Sequence, residues 1–423
     1  MNSVKLFGAV VAIAAISACG SEPGITGSET KNVKLEEFCA TPGLAPAVRE
    51  TLLVIDQSAV KPGKPETFRT DNAELFKLIT GLAAADQAIS SGVMAARERL
   101  TITVANAHTG GLTQVFTGCL PGMSQDELAA RAAKGEDGSI DTFFGSDMKS
   151  KLEEARTTFM TKVMLMVVQI AGEEGSGAGD SFGNSGFVKI LGGIGAGSGR
   201  QDSVRRVFLY TDPSRALAAI PANVAEARTA AFAQASDAHS NLGMSEFYLI
   251  PAGRPAEGVQ RDFLDAYLLG SGADLKFAGT FSPDSVAKIP VSIVNYTGEL
   301  PLTPEIKSPL EMRLAAAADG TLVNSWISYT SSRGVRRTPV SGQFVCNPDG
   351  CELRGDPDRG LGQRWRTEPG AAPQPLVDGP FGGMRLISGK DNGQTLTARI
   401  FDPVIFVGEK GDIAFTARRS ISK

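Results

Sequence analysis

The feature that most constrains this chain is a change of hydrophobic period near residue 290. Before it, short β-branched and aliphatic runs alternate with helical patterns; after it, only strand-like runs between turn residues remain. In the first part, 51–55 reads as a buried strand ending at Asp56, and Asp71 as the cap of a helix reaching about residue 100. Residues 101–105 form a second strand, and Gly110 and Gly111 lead into 112–118 as its antiparallel hairpin partner. Ser124, with Glu127 three residues on, starts a short helix. Further helices are expected over 148–170, 187–191, 222–235 and 259–270, with strands at 204–210 and 246–250 and a glycine-rich loop over 172–186. Such alternation predicts an α/β fold, a doubly wound, mostly parallel sheet with helices on both faces. The runs at 291–296, 322–329, 342–346, 383–387, 396–400, 404–407 and 413–417 predict a smaller all-β domain. The expected domains are therefore 48–281 and 290–423.

The beginning of the chain has a different character. One positive charge lies within residues 1–5, and residues 6–18 are small or apolar and uncharged. That run is too short to cross a hydrocarbon core of roughly 30 Å as a helix. It ends in Ile16, Ser17, Ala18 and Cys19. These residues resemble the lipobox of bacterial lipoproteins, in which small residues admit a peptidase and a cysteine sulfur becomes the acyl acceptor. The resemblance implies that 1–18 is a signal peptide and that Cys19 carries an N-terminal lipid holding the protein to a membrane. Residues 19–47 then act as a tether, since 20–31 are too poor in apolar side chains to order themselves. Ser21, where inner-membrane retention uses Asp, implies the cell envelope's outer membrane, facing the periplasm.

Removing Cys19 from the five cysteines leaves Cys39, Cys119, Cys346 and Cys351, an even number that suits an oxidising compartment. Three pairings are possible in principle. Cys346 and Cys351 flank Asn347, Pro348, Asp349 and Gly350, a turn sequence that brings the two thiols face to face, which leaves Cys39 with Cys119. The whole chain is 42% hydrophobic and 21% charged with a net charge of −4, and the basic and acidic residues after 289 nearly balance, so nucleic acid is not an expected partner.

Two strands end in an aspartate, at Asp56-Gln57-Ser58 and at Thr211-Asp212, and between them in sequence lies the glycine loop with Asp180 and Ser181. Ligands of open α/β sheets gather where strand carboxyl ends and loops converge. Over residues 48–281 this arrangement resembles the von Willebrand factor A domain. The resemblance implies a metal-ion-dependent adhesion site in which Asp56, Ser58, Ser181 and Asp212 hold Mg²⁺ or another divalent cation and leave a position open for a partner's carboxylate. Val60 stands where the family motif has its last serine, and Pro213 where a glycine is usual.

Catalytic signatures are sparse. His108 and His239 are the only histidines, and zinc motifs and phosphate loops are missing from the sequence. The expectation is a non-enzymatic lipoprotein that binds a protein partner in envelope assembly, adhesion, or secretion or conjugation. The alternatives are a metal-dependent envelope hydrolase using Asp56 and Asp212, or a structural subunit with an inactive site.

Overall fold

The computed structural model describes residues 35–40, 47–64, 67–83, 93–106, 111–122, 133, 140–172, 184–196, 203–213, 220–238, 241–283, 286–303, 305–331, 334–356, 365–366, 374–375, 385–401 and 412–420. The described residues belong to one compact unit.

Strands β1 (Arg49–Asp56), β2 (Arg99–Ala105), β3 (Leu112–Cys119), β4 (Val204–Thr211), β5 (Ser245–Pro251) and β6 (Ala273–Ala278) form a sheet in the order β3-β2-β1-β4-β5-β6. The ladders from β2 to β6 are parallel, but β3 runs antiparallel to β2, so the sheet is mixed. The helices are α1 (Phe68–Asp71), α2 (Ala73–Ala83), α3 (Ile140–Gly172), α4 (Asn184–Ala196), α5 (Val224–Ala238) and α6 (Val259–Gly270). Strand side chains alternate in direction, and this decides what they bury. Leu52, Val54, Val207, Leu209, Phe247 and Leu249 join Phe187 and Ile190 of α4, Ala227 and Ala231 of α5, and Phe263 and Tyr267 of α6 in one core. Each such aliphatic or aromatic side chain contributes roughly 1.5–3 kcal/mol by leaving water. The intervening residues turn the other way, where Phe208 stacks on Tyr248 at 4.7 Å and meets Phe281 edge-on at 6.1 Å. On the β3 side, Phe116 meets Phe159 of α3 edge-on at 5.6 Å.

The second sheet is built from β7 (Pro290–Pro301), β8 (Lys307–Ala317), β9 (Ser325–Ser331), β10 (Gly334–Val340), β11 (Gly342–Asn347), β12 (Gly350–Gly355), β15 (Arg385–Asp391), β16 (Thr395–Phe401) and β17 (Asp412–Ser420). The two-residue strands β13 (Trp365–Arg366) and β14 (Gln374–Pro375) pair separately. All nine strands are antiparallel, in the order β10-β9-β8-β7-β17-β16-β15-β12-β11. The sheet curls until it almost closes. Phe344 of β11 donates its N–H to Gly320 O at 2.7 Å, while Ala317 of β8 donates to Thr321 O at 2.9 Å, so one short segment bridges β11 and β8. Leu396, Ala398 and Ile400 of β16 and Ile413, Phe415 and Ala417 of β17 point inward at alternate positions and fill the interior with Tyr296, Met312 and Tyr329.

These observations overturn the expected fold class. Strand makes up 44% of the structure and helix 30%, with six α-helices among the described residues. The molecule is not a doubly wound, mostly parallel von Willebrand A fold followed by a smaller β domain; a mixed sheet is joined to a larger, nearly closed antiparallel one. Two physical reasons explain the miss. Of the helix expected over 71–100, Ala73–Ala83 is described as one helix, but Arg97 takes φ 62° and Leu100 belongs to β2, so the end of an apolar run read at helical period serves a strand. In the C-terminal region β8 and β12 lack β-branched residues, yet each lies between paired neighbours that supply ladder bonds and a core, and context overrides propensity.

Both expected disulfides are present. Cys39, in a 3₁₀ turn (Leu35–Ala40), bonds Cys119 at the end of β3. Cys346 and Cys351 are paired in register across the β11–β12 hairpin, with Cα atoms 3.9 Å apart. Gly350 closes that turn at φ 133°, and a Cβ there would meet Asp391 O at 2.5 Å, so only glycine fits.

Candidate functional site

β1 and β4 are parallel neighbours with Ile55 opposite Tyr210, so Asp56 and Thr211 leave the carboxyl edge of the first sheet side by side. Asp56 is 3% exposed and both of its carboxylate oxygens accept hydrogen bonds. Oδ1 accepts the backbone N–H of Ser58 at 2.9 Å and its hydroxyl at 2.7 Å, which caps the 3₁₀ turn Gln57–Ala59. Oδ2 accepts the Thr211 hydroxyl at 2.6 Å across the two strands. Burial raises the Asp56 carboxyl above the usual carboxylate range, and the hydrogen bonds from Thr211 and Ser58 oppose that rise.

The neighbouring loop is held by Asn72, which is 2% exposed. Its Oδ1 accepts the Lys61 N–H at 2.8 Å and its Nδ2 donates to Lys61 O at 3.0 Å, fixing the segment after Ser58 to the start of α2. Thr211 O in turn accepts the N–H of Ala252 at 2.8 Å, tying in the loop after β5. Burial raises the Tyr210 phenol, and the charges of Glu74, Asp56 and Asp212 add to the rise, so three carboxylates act on this one edge. Asp212 itself is half-buried, and the hydroxyl that reaches Asp56 is that of Thr211, one residue earlier. Ser181 and Cys19, as well as both histidines, lie outside the described residues.

A hard divalent ion needs several oxygen ligands around one point. Among the described residues no group of three His, Cys, Asp or Glu side chains converges in that way. Asp56 also spends both carboxylate oxygens on hydroxyl and amide donors. What Asp56, Ser58 and Thr211 form is a hydrogen-bonded clasp between two strand ends.

At the opposite, amino end of the same sheet is a cluster that sequence reading missed entirely. Arg49 (β1), Arg206 (β4) and Glu98 (just before β2) are buried, with side chains at 0% exposure. Arg49 reaches Glu98 through Nε at 3.2 Å and Nη2 at 3.1 Å, and Arg206 Nη2 reaches the same carboxylate at 2.9 Å. Thr51 donates its hydroxyl to Glu98 and accepts Arg206 Nε at 2.9 Å, while Val93 O accepts from both guanidinium groups. Burial alone would raise the Glu98 carboxyl, but the two arginines outweigh it and hold it below the usual range. A faint signal existed: arginine and glutamate at the starts of otherwise apolar strands, in Arg49 and Arg206 and in Glu246.

No protein-family model matches this chain, and no curated protein is similar to it. Function must be argued from the residues themselves.

Proposed function

We propose that this protein is a non-enzymatic envelope lipoprotein, tethered through lipid on Cys19, that binds a protein partner with the loops at the carboxyl end of its first sheet. The observation that carries the proposal is the cysteine pattern. Four of the five cysteines pair off, Cys39 with Cys119 and Cys346 with Cys351, and Cys19 takes part in neither bridge. That division suits an exported chain whose remaining thiol is an acyl acceptor. Among the described residues no helix is long and apolar enough to cross a membrane.

The binding surface follows from what the clasp does. Asp56, Thr211 and Asn72 hold three loops in fixed positions at one edge, while the half-buried Asp212 offers a carboxylate beside them. A rigid scaffold presenting loops is the usual basis of recognition.

Intact-mass analysis of the membrane-extracted protein tests the anchor: the expected chain begins at Cys19 with acyl chains attached, and Cys19→Ser abolishes both. An unmodified chain retaining Met1 overturns it. For the surface, a photo-crosslinker at Gln57 should trap a partner that one at Thr416 on the second sheet does not, and Asp212→Ala should weaken the trapping. Equal labelling from both positions overturns the loop assignment, and an unchanged yield on adding Mg²⁺ or EDTA is expected.

A further inference from the structure

Beside the ion cluster lies Glu246 on β5. Its residue exposure is 0%, and neither carboxylate oxygen has a hydrogen-bond partner. Every cation that faces it is committed elsewhere. Arg206 lies directly opposite on β4 but uses Nε on Thr51, Nη1 on Val93 O and Nη2 on Glu98. Arg49 on β1 gives its donors to Glu98, Val93 O and Ala287 O. On β6, Lys276 is paired with Asp274, which itself sits opposite Glu246. The remaining titratable group that faces it among the described residues is Tyr248 on the same strand.

A bare carboxylate buried without a hydrogen bond is among the costliest groups a protein can contain, whereas the protonated acid loses much less. We propose that Glu246 carries a proton in the folded protein at neutral pH and works as a pH-sensitive lock on the seam between the two sheets. Desolvation raises its carboxyl, with Lys276, Arg49 and Arg206 opposing, so the charged form stays within reach as pH climbs.

The position of Glu246 connects this proton to the seam. Two residues before it, Met244 O accepts Asn324 Nδ2, from the bend just before β9, at 2.8 Å. Two residues after it, the Tyr248 hydroxyl accepts the N–H of Ala287, in the linker to β7, at 2.9 Å. Val204 packs with Ala315, Ala317 and Val323 on the same seam, and Arg313 Nη1 donates to Ser203 O at 3.2 Å. Releasing the proton to solvent leaves a charge that must draw in water, and water reaches β5 only by loosening these contacts.

The sign is fixed by linkage. A carboxyl raised in the folded state binds a proton on folding, so its contribution to stability is greatest below the unfolded value and is lost as pH rises through the folded one. The test is thermal unfolding against pH together with hydrogen exchange at Ala287. Wild type should lose stability from neutral to alkaline pH, while Glu246→Gln, an isostere of the neutral acid, should stay level there and exceed wild type at alkaline pH. Exchange at Ala287, corrected for intrinsic rates, should quicken about tenfold per unit of pH in wild type over that range and not in the variant. If the variant does not fold, infrared spectra of the unaltered protein decide: a buried protonated-carboxyl stretch that vanishes as pH rises supports the lock. Its absence at neutral pH, or a Gln variant with the wild-type slope, overturns it.

Discussion

The two ends of the first sheet solve the same problem in opposite ways. At the carboxyl end, Asp56 meets only neutral donors, from Ser58 and Thr211, and stands beside loops. At the amino end, Glu98 is met by two guanidinium groups and is sealed under the second sheet's linker, where Arg49 Nη1 also reaches Ala287 O at 3.5 Å. The difference teaches where rigidity is spent. Charges buried with full hydrogen bonding tolerate no missing member, whereas losing one hydroxyl donor from a carboxylate that keeps two others removes a single hydrogen bond.

This contrast can be broken by mutation. The largest effect is expected for Glu98→Gln, which leaves Arg49 and Arg206 buried against a neutral amide and should cost about 3–5 kcal/mol in urea unfolding. Because Glu98 is held below its ordinary 4.5, its stabilisation is present above that pH and is lost as pH falls through the folded value. Acid unfolding of wild type should therefore steepen there, and the variant should lack that component. A cost under 1 kcal/mol would erase the distinction between the two ends.

Next in size is the bridge that fastens the same amino end. Cys119 is opposite Arg99 in the β2–β3 ladder, and its bond to Cys39 closes a loop of 80 residues. Cys119→Ser should lower stability by about 4 kcal/mol on the loop-entropy estimate. Calorimetry at matched pH checks it. The hairpin bridge, spanning 5 residues, should be worth about 2 kcal/mol by the same reasoning.

At the carboxyl end the expected effects are smaller. Thr211→Val removes one donor from Asp56 while keeping shape, and should cost about 1–2 kcal/mol. Asn72→Ala, which frees the loop at Lys61, should cost about 1 kcal/mol but raise hydrogen exchange at Lys61 itself. If Thr211→Val matched Glu98→Gln in cost, the clasp would be as strict as the ion cluster and the comparison would fail.

What could be read in advance follows the range of the interactions. Asp56 with Ser58 is a contact two residues long, and a strand ending in Asp-Gln-Ser announces it. The β11–β12 hairpin is equally local, and its bridge follows from the turn between the cysteines. Thr211 is different: 155 residues separate it from Asp56, and no local pattern announces their hydrogen bond. The resemblance to an adhesion domain rested on element order, which survives reordering of sheets poorly and carries no count of strands outside it.

By itself, the sequence determined where the chain changes period, which four cysteines could pair, and the local turn that Asp56 caps, because each is written in neighbouring residues. Only the tertiary structure decided that Thr211 completes the clasp, that Arg49, Glu98 and Arg206 share one buried site, and that the C-terminal strands curl into the larger sheet. Those outcomes depend on which strands become neighbours. That choice belongs to the burial of the whole chain, and no short window of residues contains it.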